Sequence, residues 1–400
     1  MAPSDLHELL VHTAHQSGFP LAGSVDLDAV LNDPQGLFQA HVNHLDQWLA
    51  SGFAGSMEYL KRGRDRRANP RLVFPETQSL FCVGLPYPRR PAGQRELKTG
   101  PRYARYLQGP DYHEEITHRL TQVMSQVEAQ FKKSSDLPLR WKITVDTSAV
   151  LERTWAALAG LGWIGKNTLL IHPKLGSYFF LAVVLLNQKT GQLPSPLPSL
   201  CGHCTRCLQG CPTGALEAPH RLNSNHCIAY LTLEKKGELQ VPPSTEQQMG
   251  GWIAGCDLCQ EACPFNLKPQ RQEEAQLKPA SVESLGATAR STWDELLSES
   301  NTQYQTRVKH SALSRIKPSQ FRRNLALSLK NALQQAPEIL ELNPELFSQI
   351  QSQSKTETDP VAQRLWAELA SSLSKAQSVQ SHRLPLELGK VQGDLPAPRP

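Results

Sequence analysis

The sequence predicts a chain of mixed α/β and α+β class in three parts. These are an α/β domain over 1–195, a compact cysteine-rich module over 196–270 and an all-helical region over 285–380, followed by a disordered tail at 381–400. Three observations carry this. Apolar runs alternate with amphipathic helical stretches up to about residue 190, eight of the nine cysteines fall between 201 and 263, and from about residue 290 the apolar period is helical only.

A length of 400 residues allows two or three domains, each with a core of its own. In the first part, SLFCVGLPY (79–87), WKITVD (141–146), TLLIH (168–172) and YFFLAVVLL (178–186) read as strands, and HEEITHRLTQVMSQVEAQF reads as a helix. The run YFFLAVVLL is too short to cross a bilayer and rich in aromatic and β-branched residues, so no membrane span is expected. The N-terminus MAPSDLHELL lacks a signal-peptide pattern and a twin-arginine pair, which implies a cytoplasmic chain, expected to be monomeric. The proline-containing GQLPSPLPS (191–199) marks the first boundary. In the last part, Pro318, Pro337, Pro344 and Pro360 divide the pattern into short amphipathic helices, a small stack of helical pairs.

Charge is clustered. Lys plus Arg exceeds Asp plus Glu by only 42 to 37, yet 61–71 (KRGRDRRANPR) holds six basic residues and one acid, and 301–336 holds seven basic residues and no acid. A solvated face normally mixes signs, so the second cluster predicts a polyanion partner. Its candidates are Arg307, Lys309, Arg315, Lys317, Arg322 and Arg323, with Ser311 and Asn324 as neutral hydrogen-bonding groups.

Cys201, Cys204, Cys207 and Cys211-Pro212 match the C-x2-C-x2-C-x3-C-P run, in which three cysteines bind one iron–sulfur cluster and the fourth binds another. The second half, Cys256-x2-Cys259-x3-Cys263-Pro264, lacks one ligand, and Cys227 supplies it. The cross-over rule then assigns Cys201, Cys204, Cys207 and Cys263 to one 4Fe-4S cluster and Cys211, Cys227, Cys256 and Cys259 to a second. The interleaved halves and C-x3-C-P ends favour clusters over zinc. Cys82, alone in a strand, reads as a small core residue.

Two clusters form a short wire, and a wire in a large chain implies an acceptor. AGLGWIGKN holds Gly160, Gly162 and Gly165 at G-x-G-x-x-G spacing, but it follows a helix and precedes a strand, the reverse of a dinucleotide-binding turn. The glycines serve either a helix end with a tight turn or a backbone lying against a flat cofactor. Asp146 ends WKITVD, where it either caps a helix beginning near Ala149 or faces a ligand at a strand end. DYH at 111–113 is compatible with a cobalamin motif, but Ile116 stands where that motif has glycine, so His113 is expected to open a helix beside the site rather than bind cobalt.

RYLQGPDYH, VDTSAVLERTWAALAGLGWIGKNTLLI, CGHCTRCLQGCPTGAL, CIAYLTLE and GCDLCQEACPFN, with SALSR and RNLAL further on, together resemble the epoxyqueuosine reductase family from the first helix to about residue 330. The resemblance implies an N-terminal cobalamin-binding catalytic domain, a bacterial ferredoxin-like module with two 4Fe-4S clusters and a HEAT-like helical-repeat domain that binds tRNA. It implies reduction of epoxyqueuosine to queuosine at the anticodon wobble position. Electrons would pass from an unidentified low-potential donor through the clusters to a cobalamin beside the first cluster, without a protein histidine on cobalt. Asp146 aligns with the family's proton donor, a role that calls for a raised pKa. Arg66, Arg67, Asp111, Tyr112, Gly162, Gly165, Lys166, Asn167, Tyr230 and Thr232 are the implied cobalamin contacts. A reductive dehalogenase shares the cobalamin and two-cluster core but usually carries a twin-arginine signal, and a plain electron-transfer module leaves the first 200 residues without a role.

Overall fold

The computed structural model describes residues 1–87, 100–267 and 292–383. The expected boundaries at 270 and 285, and the tail beyond 383, lie outside them. Four strands form one sheet in the order Leu21–Asp26, Ser79–Pro86, Phe179–Leu186 and Trp141–Thr144, each neighbouring pair antiparallel. The two central strands are the apolar runs seen in the sequence, and each buries both faces. Phe81, Val83 and Leu85 pack with Val184 and Leu186 against the helices Pro3–Gln16 and Tyr112–Ser134. The alternate residues Leu80, Cys82 and Val183 face Phe38, Val42 and Trp155 on the other side. Period-two alternation between two helical layers thus accounts for the all-apolar strands. The class is mixed α and β, as expected, but the sheet is antiparallel, so the rule placing ligands at the carboxyl ends of parallel strands does not locate Asp146.

TLLIH is not part of this sheet. Leu170–Ile171 pairs with Trp163–Ile164 in a separate two-stranded hairpin. Gly160, at φ +83, ends the preceding helix Glu152–Leu158, so the helix-end reading of the glycine motif holds there. A Cβ on Gly162 would stand 2.4 Å from the Ile171 carbonyl oxygen, and one on Gly165 would stand 2.4 Å from the Ile171 side chain. Close approach within the hairpin itself requires these two glycines.

The helical region starts as its prolines indicate, with helices Pro318–Gln335, Leu346–Thr356 and Pro360–Arg383. It does not stand on a separate core. Trp293, Tyr304, Phe321, Leu325 and Trp366 pack in one cluster with Ile228, Tyr230, Leu231, Trp252 and Ile253 of the cysteine module. Among the described residues, no helix is long and apolar enough to cross a membrane.

Gly162→Ala is expected to lower the thermal unfolding midpoint of anaerobically prepared protein by the equivalent of about 1–3 kcal/mol, because the new methyl meets rigid backbone. An unchanged midpoint would remove the steric argument.

Candidate active site

The structure gathers the eight cysteines into two groups. Cys263 lies within electrostatic reach of Cys201 and Cys204, and Cys207 of Cys201 and Cys263. Cys227, Cys256 and Cys259 lie within reach of Cys211 and of one another. These are the two crossed sets expected from the spacing. Burial pushes the thiols of Cys207, Cys227, Cys256, Cys259 and Cys263 upward, so bound iron is what would stabilise their thiolates. The hairpin Trp163–Ile171 touches both groups. Trp163 Nε1 approaches Cys201 Sγ at 3.5 Å, Lys166 Nζ donates to the carbonyls of Gly202 at 2.6 Å and Cys204 at 3.0 Å, and Asn167 Nδ2 reaches the Cys259 carbonyl at 3.5 Å. Lys166 and Asn167, implied as cobalamin contacts, therefore spend their side chains on the cluster loops. Cys82 is fully buried in the sheet, as expected for a core residue.

Asp146 does not cap a helix. The next helix begins at Glu152 with Leu151 before it, and Asp146 instead sits at φ +54 in the turn leaving its strand. Its side chain is 52% exposed and faces His113 Nε2 at 3.4 Å. Asp111 caps the helix Tyr112–Ser134, accepting from the His113 backbone N–H at 2.9 Å and facing its Nδ1 at 2.7 Å. An imidazole with carboxylate oxygens at both nitrogens is best satisfied as the doubly protonated cation, and its pKa is raised accordingly. Hydrogen bonding from His113 holds the Asp146 carboxyl below its usual range, against the raised value expected. The hydrogen bond favours a cationic His113 beside an ionised Asp146. Glu152 is the raised carboxyl here, lifted by burial to about 8, and its Oε1 accepts the Asp146 N–H at 2.7 Å.

Around this pair stand Tyr112 and Arg67, implied by the resemblance, together with Tyr59 and Tyr106, which the sequence did not single out. Tyr112 stacks between His113 and Phe180, with ring centroids 4.0 and 4.1 Å away. Tyr106, partly buried, lies within the fields of Arg315, Asp146, Asp257 and Glu234, and the exposed Tyr59 within those of Glu234, Arg315, Asp146 and Arg67. Arg67 thus reaches the site, whereas Arg66 lies on the exposed face of the helix Arg64–Ala68. Asp257, which follows Cys256, lies within the electrostatic field at Tyr106. Two further expected contacts are turned to internal bonds. Thr232 is fully buried, donating to the Ile228 carbonyl and accepting from Gly255, and the Tyr230 hydroxyl is held by the N–H and hydroxyl of Ser56.

A family model described as "Epoxyqueuosine reductase QueG, DUF1730" matches residues 67–147, and one for a 4Fe-4S double cluster binding domain matches residues 200–266. The chain is 38% identical over 326 residues to an epoxyqueuosine reductase of Synechococcus sp. (strain RCC307), covering 81% of this chain and 94% of that one. The chain belongs to the epoxyqueuosine reductase family. Its members are oxidoreductases, and the double-cluster match assigns two 4Fe-4S clusters to the cysteine module. The Xanthomonas campestris epoxyqueuosine reductase is 33% identical over 335 residues, 82% of this chain and 88% of that one. Among solved structures, an epoxyqueuosine reductase with an epoxyqueuosine-modified tRNA-Tyr stem loop aligns with TM-score 0.71 at 25% identity, covering 93% of this chain and all of that one. A Bacillus subtilis epoxyqueuosine reductase whose aspartate-bearing catalytic loop is swung out of the active site aligns with TM-score 0.70 at 25% identity, covering 92% and 99%.

In this chain the basic segment 301–336 is divided by burial. Arg307 forms a bidentate pair with Glu299 at 2.7 and 2.8 Å, and Arg322 is 4% exposed, bonded to Asn301 and to the carbonyls of Leu296 and Glu299. Arg323, 1% exposed, donates to the carbonyls of Leu231, Lys235 and Gly237, while Asn324 Nδ2 donates to those of Thr232 and Ile253. Ser311 is buried and donates to the Val308 carbonyl. These five side chains point inward, so the expectation that they meet a polyanion is corrected: Arg323 and Asn324 clasp the helical region to the cysteine module, and Arg307, Arg322 and Ser311 bond within the helical region. Lys309, Lys317 and Arg315 remain exposed, Arg315 paired with Glu234.

Arg323→Ala is therefore expected to destabilise the protein by at least about 1–3 kcal/mol, since it orphans several buried carbonyls. Lys309→Ala with Lys317→Ala should leave the unfolding midpoint within a degree or so of the parent. Equal midpoints for the two variants would contradict the clasp.

Proposed function

We propose that this chain reduces epoxyqueuosine to queuosine at the wobble position of the tRNA anticodon, drawing electrons from a low-potential donor through its two clusters to a bound cobalamin. The observation that carries the reading is the meeting of an open carboxylate, Asp146, with the His113 imidazole at 3.4 Å, in a chain whose hairpin Trp163–Ile171 bonds to both cysteine groups. Family membership and the stem-loop complex of a relative support the substrate.

The residues present fit cobalamin of the kind without a histidine on cobalt. Both ring nitrogens of His113 face aspartates, so this imidazole has no nitrogen left for a metal. Tyr112, with the Asp146 turn and Arg67 nearby, would hold the group. Cobalamin, when bound, supplies low-valent cobalt able to deliver two electrons to an epoxide carbon. Opening the epoxide to an alkene consumes two electrons and two protons and releases the oxygen as water. Asp146 relays a proton from His113 to the departing oxygen. The Arg315 guanidinium lies within the field of Asp146 and offsets negative charge as it develops. Cys201, Cys204, Cys207 and Cys263 hold one cluster, and Cys211, Cys227, Cys256 and Cys259 the other. Each passes one electron at a time, at potentials that four-iron clusters extend to about −700 mV. Lys309, Lys317 and Arg315 meet the RNA backbone.

The decisive test incubates epoxyqueuosine-containing tRNA with protein, cobalamin and a strong reductant, then measures nucleoside masses. A product lighter by one oxygen is expected, and an unchanged nucleoside would reject the assignment. Asp146→Asn should retain both clusters yet lose turnover by about 10²- to 10⁴-fold. Because the His113 pKa is raised, its proton is present below that elevated value and lost above it, so turnover should fall on the alkaline side. Cys263→Ala should lower iron from about eight to about four atoms per chain, and full iron content would break the crossed assignment.

A further inference from the structure

Asp146 occupies an uncomfortable backbone. Its φ is +54, and the Thr147 N–H meets the Val145 carbonyl at 2.5 Å across it, which closes a three-residue γ-turn of the positive-φ kind. That form is rare and strained, and a non-glycine residue holds it only where the surroundings impose it. The imposed contact is visible. Glu152 Oε1 accepts the Asp146 N–H at 2.7 Å, reaching back across the turn from the first residue of the helix Glu152–Leu158. That helix has no side-chain cap at Leu151, and the Glu152 carboxyl is spent on the Asp146 amide. The next residue, Arg153, donates through Nη1 to the carbonyl of Thr168, a second non-glycine residue at positive φ, +69. Consecutive residues of one helical turn therefore brace two left-handed positions. One presents Asp146, and the other lies in the hairpin whose Lys166 and Asn167 hold the cluster loops.

We propose that Glu152 is a positioning residue that locks the strained turn by accepting the Asp146 amide, so that the Asp146 carboxyl stays directed at the reacting oxygen. The inference rests on the reading of Asp146 as the proton donor. A carboxyl oxygen accepts an N–H whether or not the other oxygen carries a proton, and an amide oxygen of the same length does so too. Glutamine should therefore replace Glu152, and leucine should not.

The test compares Glu152→Gln and Glu152→Leu with the parent, each purified anaerobically with unchanged cluster absorption. Hydrogen–deuterium exchange of peptides covering 145–151 reads the lock without reference to activity. The leucine variant should exchange the Asp146 amide faster, and the glutamine variant should match the parent. Turnover should follow: leucine lowers kcat by about 10- to 100-fold with KM for tRNA little changed, as for a displaced catalytic group, and glutamine stays within about 3-fold. Parent-like exchange in the leucine variant would overturn the proposal, as would equal damage by glutamine and leucine. Asp146→Asn separates the two ideas. If that variant keeps full turnover, the proton-donor reading falls while the exchange result still judges the lock. If it is inactive and Glu152→Leu is fully active, the donor stands and the lock falls.

Discussion

Cys263 lies beside Cys201 and Cys204, and Cys211 lies with Cys227, Cys256 and Cys259, so neither group of thiols closes until both halves of the module have come together. The hairpin Trp163–Ile171 fits against this junction. Its Trp163 packs on Cys201 and its Lys166 and Asn167 bond to carbonyls of the two cysteine segments, so the N-terminal domain is registered against the clusters by backbone bonds rather than by loose contact. The Lys166 ammonium also sits where cluster charge accumulates, and cations or N–H donors around sulfur are among the means by which a protein tunes cluster potential. A linker alone would leave cluster and Asp146 at variable separation. The hairpin fixes it, because Thr168 in this hairpin and Asp146 are braced from the same helical turn.

The electrostatics of the Asp146 face follow from which partner each carboxyl has. Asp146 and Glu152 are joined through one backbone N–H, yet they are pushed in opposite directions, Asp146 downward by the His113 hydrogen bond and Glu152 up to about 8 by burial. Environments that separate two neighbouring carboxyls in this way divide labour between them. Here the charged one faces the opening and shares the His113 proton, while the neutral one faces the backbone, where accepting an N–H needs no charge. Arg315 joins the same face from the helical region, paired with Glu234, so the part of the chain that carries the exposed cations is electrically continuous with the proton-holding pair.

Much of this was legible in the sequence because it is written in local spacing. The cysteine runs give both ligand sets, and the central strands stand out because nearly every residue in them is apolar. The strand Leu21–Asp26 did not stand out, since LAGSVD mixes glycine, serine and aspartate and is held as an edge strand by pairing with Ser79–Pro86. Asp146 was found by its place after a strand and His113 was expected to open a helix beside the site, but the contact between them and the other neighbours were not foreseen. His113 lies 33 residues earlier, and Tyr59, Tyr106 and Glu234 come from three separate segments. A pKa is a property of that assembled neighbourhood. For that reason the direction of the Asp146 shift could not be had from its position in the chain.

The basic segment shows the same limit from the side of charge. Counting formal charges over 301–336 finds no acid, but Glu299 lies just outside the window and Glu234 is brought in from the cysteine module. The count also omits partial charges. The carbonyls of Leu231 and Thr232 end the helix Ile228–Leu233, where unpaired C=O groups gather negative potential, and Arg323 and Asn324 satisfy them. A guanidinium has five donors in a rigid fork, so it can serve several converging carbonyls as readily as a phosphate, whereas a lysine is better suited to solvent. Arginines at a junction between two parts of a chain are therefore ambiguous on sequence grounds, and exposed lysines less so. What remains available to an anion here is narrower than the cluster suggested, centred on Lys309, Lys317 and Arg315, and Arg315 brings that charge to the field of Asp146 itself.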